Sequence, residues 1–390
     1  MHDMFGTLVS LASIFFFAKI FGEIALKFGQ TEIIGELLAG ILIGPSVLGF
    51  IHETSVLSFV SELGAIILLF EVGLSMNLKE FLKASGWAMV VAFIGVIIPY
   101  FLGYFVFLYY GFTNTHAIFA GAVLTATSVG ITARVFVDLK CLKSDEAKIV
   151  LGAALIDDVV GLVMLAIVLK LVTVGEFITL RTIVQISGVA ISFLILSVVL
   201  GLLIVQKIFK RISAMRQVHT VFIAGAFFCF VISALSIKAG LAPIVGAFVA
   251  GLVLSTTKQS EEIRGDVKPV YAFFVPVFFV LMGTNVDICI FNPSIVANRE
   301  ILFLIIILFI VAFVGKTIAG FAVIKKGINK LLIGVSMVPR GEVGLIFVDI
   351  GFKNNVFEKQ DYSTLVAVIM LTTFVTPILL KYICKKPPNV

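Results

Sequence analysis

Asp157 and Asp158 stand side by side in an otherwise apolar stretch, 147–173 (AKIVLGAALIDDVVGLVMLAIVLKLVT). Adjacent carboxyl groups in such surroundings are suited to holding a proton or a hard cation, because like charges in contact resist ionising together and hard cations prefer oxygen ligands. At the centre of a bilayer each carboxylate costs about 2.5 to 3.5 kcal/mol to insert. Packing needs neither acid at that depth, so the pair is a functional-site expectation. Four basic residues also fall inside apolar stretches: Lys19, Arg134, Lys316 and Arg340. Lys19 and Glu23 lie four apart on one helical face and are expected to neutralise each other. Lys316 has no acid in its own stretch, 301–325, and requires a partner from elsewhere in the chain.

Two segments carry signals for interrupted helices. In the first, Val338-Pro339-Arg340-Gly341-Glu342, proline removes a backbone donor, glycine loosens the helix and two charges flank the gap. The other, 124–132 (LTATSVGIT), has hydroxyls and a glycine but no proline. Half-helices meeting in mid-membrane would present carbonyl ends suited to a cation and amide ends that a nearby acid offsets. Thr127 and Ser128, beside Asp158, and Thr125 are candidate ion ligands or break residues. The alternative, that these hydroxyls bond a carbonyl of their own helix, stays open. Arg340 and Glu342 are candidates of the same kind and could equally form a local structural pair, the slightly favoured reading.

The elements that must position these groups follow from composition. The chain has 390 residues, is 60% hydrophobic and only 13% charged, and contains 38 Phe, with a mean hydropathy of +1.18. This is the composition of an all-α polytopic membrane protein with no soluble domain. Thirteen segments are expected to cross or nearly cross a bilayer: 4–28, 33–50, 58–77, 86–110, 116–138, 147–173, 182–207, 219–237, 241–255, 270–286, 301–325, 330–351 and 362–384. With the N-terminus outside, inward connections carry 19 Lys and Arg against 6 on outward ones, which obeys the positive-inside rule and puts the C-terminus inside. The net charge of +6 then reflects topology and attraction to anionic membrane lipids, and calls for no nucleic-acid partner. The first segment lacks a basic flank and a cleavage site, so it is expected to remain as a span. The four Cys (141, 229, 289, 384) show no close pair and read as free thiols without a metal or redox role. The four His (2, 52, 116, 219) fall near span ends, where an interfacial role is the plain reading.

A repeat runs through the chain. GELLAGIL from Gly35 matches GAFVAGLV from Gly246; FEVGLSMN ending at Asn77 matches VLMGTNVD ending at Asp287; SVGI around Gly130 matches EVGL around Gly344. The offsets are nearly equal, and an odd number of spans precedes the second copy. An inverted-topology repeat is therefore expected: 1–181 as the first copy (spans 1 to 6), 182–212 as connecting span 7, and 213–390 as the second copy (spans 8 to 13), with two discontinuous helices crossing near the midplane. The charges are not duplicated, since one copy supplies the carboxylates and the other the ammonium. Gly40 and Gly44 form a G-x-x-x-G that would pack helices closely, within one chain or between two.

On GELLAGILIGPSVLG (35–49), the Asp157-Asp158 pair, VGKT (314–317) and PRGEVGL (339–345), the chain resembles bacterial monovalent cation:proton antiporters of the NapA type and, more distantly, NhaA. The likeness covers essentially the whole chain. It implies that Asp158 is the main carboxylate for cation and proton, and that Asp157 pairs with Lys316 when the ion site is empty. It also implies a homodimer in the bacterial cytoplasmic (inner) membrane, in which a core moves past a fixed dimerisation domain. Relatives that expel potassium continue into a nucleotide-binding domain, which is not expected in this chain.

The expected activity is exchange of Na⁺ or Li⁺ for H⁺ by alternating access, with no cofactor and with Na⁺ held at Asp158 and Asp157. Two protons per sodium would move one net charge. A K⁺/H⁺ or broadly selective exchanger is the nearest alternative, because none of these residues sets ion size. A channel would need a continuous pore, and a sodium-coupled symporter would need a second polar pocket that the sequence does not reveal. An intramembrane aspartyl protease would need two acids facing each other, whereas helix neighbours diverge by about 100°.

Overall fold

The computed structural model describes residues 2–51, 54–174, 179–212, 219–286, 288 and 296–384. They form fifteen helices: α1 (His2–Lys27), α2 (Glu32–Ile43), α3 (Ser55–Leu74), α4 (Leu78–Tyr109), α5 (Asn114–Val123), α6 (Val129–Asp138), α7 (Asp145–Val174), α8 (Leu180–Ile212), α9 (Thr220–Lys238), α10 (Pro243–Leu254), α11 (Ser260–Thr284), α12 (Val296–Phe321), α13 (Lys330–Ser336), α14 (Glu342–Lys353) and α15 (Lys359–Ile383). Nine helices among the described residues are long and apolar enough to cross a membrane. The other four expected segments are not single long helices.

Two of those four are short. The segments expected over 33–50 and 241–255 contain α2 and α10, of 12 residues each, so each is about 18 Å long where a bilayer core needs about 30 Å. At its C-terminus α2 is stopped by Gly44, whose backbone is extended (φ −73°, ψ 177°) as the residue before Pro45 must be. Pro243 starts α10 at its first turn, where the missing N–H costs nothing. The other two segments are interrupted, α5 and α6 parting at 124–128 and α13 and α14 at 337–341.

Packing sorts the helices into two groups. In one, α3 lies against α10 and α11, α2 against α1 and α11, and α10 against α9; in the other, α4 lies against α5, α7 and α12, and α12 against α13 and α15. Between them α8 touches α7 on one side and α9 and α10 on the other. The half-helix α6 also faces both ways, meeting α2 and α3 of the first group and α7 and α15 of the second. Large apolar side chains of α1, α4, α8 and α9, such as Phe16, Phe101, Leu203 and Phe227, are exposed, as lipid-facing helices require.

Backbone contact at glycine holds the first group together. Gly40 of α2 packs on Gly283 of α11, and Gly73 of α3 on Gly251 of α10; a Cβ at Gly40 would run into the Val280 carbonyl, and one at Gly73 into that of Phe248. Gly44 meets Thr284, so both glycines of the G-x-x-x-G pack within this chain. Gly35 likewise sits on the α1 backbone at Phe21 and Gly246 on the α9 backbone at Ile232. In a membrane, where lipid tails are as apolar as Leu, such close approach is a main source of helix association.

The expected Lys19–Glu23 pair does not form. Both side chains are exposed on α1, and no ion pair joins them among those within 4.0 Å in the described residues. Of the thiols, Cys141, Cys229 and Cys384 are free, while Cys289 lies outside the described residues. His116 and His219 sit at helix starts, bonded to Thr113 Oγ1 at 2.6 Å and Asp266 Oδ2 at 2.8 Å. His52 and the His2 side chain lie outside the described residues.

Gly283→Val and Gly73→Val should each destabilise the protein by about 1–3 kcal/mol through overpacking, lowering the melting temperature in detergent. Gly86→Val, on an open face of α4, is the control and should leave it unchanged.

Candidate functional site

The acids arrive on α7, the longest apolar helix of the second group to carry adjacent carboxylates, and their 100° divergence sends them to different neighbours. Asp157 is buried, whereas Asp158 is half-buried. The Asp157 Oδ2 accepts from Lys316 Nζ of α12 at 2.8 Å and from Thr127 Oγ1 at 2.7 Å. Lys316 is fully buried, and its carboxylate partner is 2% exposed. The other oxygen, Asp157 Oδ1, is buried without a hydrogen-bond partner among the described residues. Lys316 thus finds the acid it lacks in its own helix, 159 residues away, on the opposite half of the chain.

A pair so fully desolvated is held by geometry more than by net energy, since the loss of hydration of each ion rivals their attraction. Its second donor is therefore informative. Thr127 was expected beside Asp158 and bonds Asp157 instead, with a longer contact of 3.4 Å to Met337 O. It sits in the gap between α5 and α6, so an interrupted helix delivers the hydroxyl that orients the acid.

The two gaps are stitched to each other. Ser128 N donates to Pro339 O at 2.7 Å, and Thr132 Oγ1 to Ser336 O at 2.6 Å. From α15, Thr373 Oγ1 donates to Arg340 O at 2.6 Å. Carbonyls freed by a broken helix cost several kcal/mol each in a bilayer unless a donor replaces the lost amide, and these bonds supply the donors. The Ser128 Oγ also lies against Gly341, where a Cβ would collide with it.

Arg340 is the largest fully buried side chain. Its Nη2 donates to Leu124 O at 2.6 Å, at the carbonyl end of α5, and its Nη1 to Val338 O at 3.0 Å. A fixed guanidinium thus occupies carbonyls that the sequence offered to a cation, and it offsets the negative end of a half-helix. The Glu342 side chain lies outside the described residues, so the expected Arg340–Glu342 pair is not described. Thr125 Oγ1 bonds Ala122 O of its own helix at 2.7 Å, the plainer of its two readings. Asp157, Lys316, Thr127 and the Ser128–Pro339 crossing are thus brought together; Thr125 faces its own turn.

A second polar cluster was not assigned from sequence. Arg134 of α6 meets Glu32 Oε2 at 3.1 Å, Glu36 Oε1 at 3.7 Å and Asp138 Oδ1 at 2.9 Å, and donates to the Tyr271 hydroxyl at 2.8 Å. The signal was present as two i, i+4 spacings, Glu32–Glu36 and Arg134–Asp138, but nothing in the sequence joins α2 to α6.

Lys316→Gln should destabilise the protein by about 3–5 kcal/mol, because it strands a buried carboxylate. Thr127→Val should cost less, about 1.5–3 kcal/mol for one bond to a charged group. Thermal unfolding of the purified variants checks the order, and an equal or reversed order would contradict the geometry.

The model of the transmembrane sodium/hydrogen exchanger family matches residues 12–386. Similar proteins include the high-affinity Na⁺/H⁺ antiporter NhaS3 of Synechocystis, 36% identical over 95% of this chain and 88% of that protein. The Na⁺/H⁺-K⁺ antiporter GerN of Bacillus cereus is 32% identical over 95% of each, and a Na⁺/H⁺ antiporter of Enterococcus hirae is 33% identical over 93% of this chain and 94% of its own. The solved structure of the sodium proton antiporter MjNhaP1 from Methanocaldococcus jannaschii superposes with a TM-score of 0.69, covering 98% of this chain and 97% of that one at 17% identity. At that identity the likeness establishes a shared fold.

Proposed function

The chain belongs to the sodium/hydrogen exchanger family, and from that premise we propose how its buried charges exchange sodium for protons across a membrane. It is a transporter and not an enzyme. Asp158 is the main cation- and proton-carrying carboxylate, and Asp157 with Lys316 forms the resting pair beside it. Ser128 and Thr127 lie within the same crossing and supply oxygens of the type a hard monovalent cation prefers. The observation that carries the reading is the 2.8 Å contact between a fully buried ammonium and a buried carboxylate next in sequence to a second, half-buried acid.

Sodium and protons compete for one set of oxygens. When sodium binds between the acids, Asp158 and Lys316 each release a proton and Asp157 is drawn from the amine to the ion; when sodium leaves, Asp158 and Lys316 each take one back. Two protons are thus traded for one sodium, and each cycle moves one net charge, which gains about 2.3 kcal/mol per 100 mV of membrane potential. Competition for a single site makes the exchange obligatory.

Alternating access follows from the two helix groups. In this reading the chain has 13 spans with the N-terminus outside and the C-terminus in the cytoplasm of a bacterial inner membrane, as two inverted repeats, 1–181 and 213–390, joined by 182–212. The glycine contacts support the repeat, because nearly equal offsets, 211 and 210, take Gly40 to Gly251 and Gly73 to Gly283, so the Gly40–Gly283 and Gly73–Gly251 contacts become one contact seen twice. The group holding Asp157, Asp158 and Lys316 moves, and the glycine-packed group stays fixed. The exposed apolar face of α1 fits a homodimer built on that fixed group, with membrane lipid around the rest. A wider ion range is the second reading, favoured by the similarity to GerN, a Na⁺/H⁺-K⁺ antiporter.

Asp158→Asn in proteoliposomes should abolish sodium-dependent proton movement while the protein stays folded; exchange at the normal rate would overturn the assignment. Wild-type protein on a solid-supported membrane should give a transient current whose sign follows the sodium gradient. Absence of current, with exchange intact, would remove the two-to-one ratio but not the site. Repeating the recording with Li⁺ and K⁺ fixes the ion range.

A further inference from the structure

The Arg134 cluster joins the two helix groups that the proposed cycle must separate. Arg134 and Asp138 lie on α6, which starts at Ser128 beside the ion site; Glu32 and Glu36 lie on α2 and Tyr271 on α11, both in the glycine-packed group. The guanidinium is 4% exposed and Glu36 2%. Besides its hydrogen bond to the Tyr271 hydroxyl, Arg134 stands 5.2 Å from the centre of that ring. Elsewhere on this face the groups are parted by a polar cavity of about 630 Å³, lined by Ser75, Ser255 and Glu261 on one side and Glu80 and Lys148 on the other. The tie at Arg134 is therefore local.

We propose that Arg134 is a gating residue: its grip on Glu32, Glu36 and Tyr271 holds closed the face that carries the 138–145 connection, and this grip must release each time Asp158 is exposed to that face. The positive-inside reading makes that face cytoplasmic, and the inference rests on the exchange cycle proposed above.

Three features favour a gate over a simple structural tie. The bonds cross between groups, whereas the comparable network of Lys148, Glu80, Asp145 and Lys325 joins α4, α7 and the connection after α12 within one group. Ionic and hydrogen-bonded contacts can also break and re-form when water enters, unlike the backbone-on-backbone glycine contacts. Finally, α6 is a rigid lever of ten residues, so Arg134 lies only about 8 Å along the helix axis from Val129, where α6 starts two residues after Thr127, which orients Asp157. Asp138, on the same helix, anchors the guanidinium at 2.9 Å and would travel with it, leaving Glu32, Glu36 and Tyr271 behind. Lys19 of α1 and Glu71 of α3, itself bound to Arg264 at 3.2 Å, are the other charges of the fixed group acting on Glu36 and Tyr271.

The test is sided transport in oriented proteoliposomes of the full chain, measuring the sodium KM separately at each face. Weakening the grip shifts the resting population toward the conformer open to the 138–145 face. Glu36→Gln should therefore lower the KM at that face about five-fold, a shift typical of coupled equilibria, without lowering it at the other face. Tyr271→Phe removes one hydroxyl, should shift KM in the same direction, and serves should Glu36→Gln fold poorly. The charge exchange Arg134→Glu with Glu36→Arg should bring KM back toward wild type. Unchanged KM at both faces, or an equal change at both, overturns the gate. Asp158→Asn, run alongside, reports on the exchange reading independently, since loss of transport there with no sided effect at Glu36 condemns the gate alone.

Discussion

A buried ammonium bonded to a buried carboxylate is the constraint around which the rest of this protein is arranged. Neither charge is tolerable alone in a bilayer, and the two come from opposite halves of the chain, Asp157 from α7 and Lys316 from α12. The fold must therefore bring two distant helices together before either ion is paid for in contact energy. It does so in a group of helices centred on α4, which touches both α7 and α12, with Gly95 of α4 lying against the Lys316 side chain. The interrupted helices complete the arrangement by placing a hydroxyl on the acid and exposing backbone groups that hold each other.

Much of this was legible in the chain. Two adjacent acids and a lone lysine within apolar stretches are visible because they contradict their surroundings, and the proline and glycine at 339 and 341 mark a break for reasons of backbone geometry. The resemblance to cation:proton antiporters held. What the sequence could not convey was pairing in space. Thr127 went to Asp157 rather than Asp158 because the gap approaches α7 from the Lys316 side. Arg340 took carbonyls of another half-helix, a partner 216 residues away that no spacing rule encodes. The short α2 and α10 were overestimated because hydropathy runs on past Pro45 and across Leu241 and Ala242, while the backbone does not stay helical there.

Both helix groups use glycine packing, and they differ in what is added to it. Glycine contacts in the first bring backbones together at several points along α2, α3, α10 and α11, with the carbonyls of Leu37, Phe70, Phe248 and Val280 lying against glycines of the facing helix. The second has glycine contacts of its own, Gly320 on the Lys330 carbonyl and Gly334 on the Thr317 carbonyl, and adds to them the directional bonds around the crossing. Where the groups meet, Arg134 and Asp138 of α6 face Glu32 and Glu36 of α2, so charge pairs rather than apolar contacts mark the boundary.

The Asp157 carboxylate is lopsided: Oδ2 takes both donors, and Oδ1 takes none among the described residues. In the proposed cycle an incoming ion would lodge on Oδ1 while the ammonium still grips Oδ2, and the handover would proceed through an overlapping, doubly occupied side chain. On that route a naked buried anion, the most expensive species of a dissociative exchange, would not have to form.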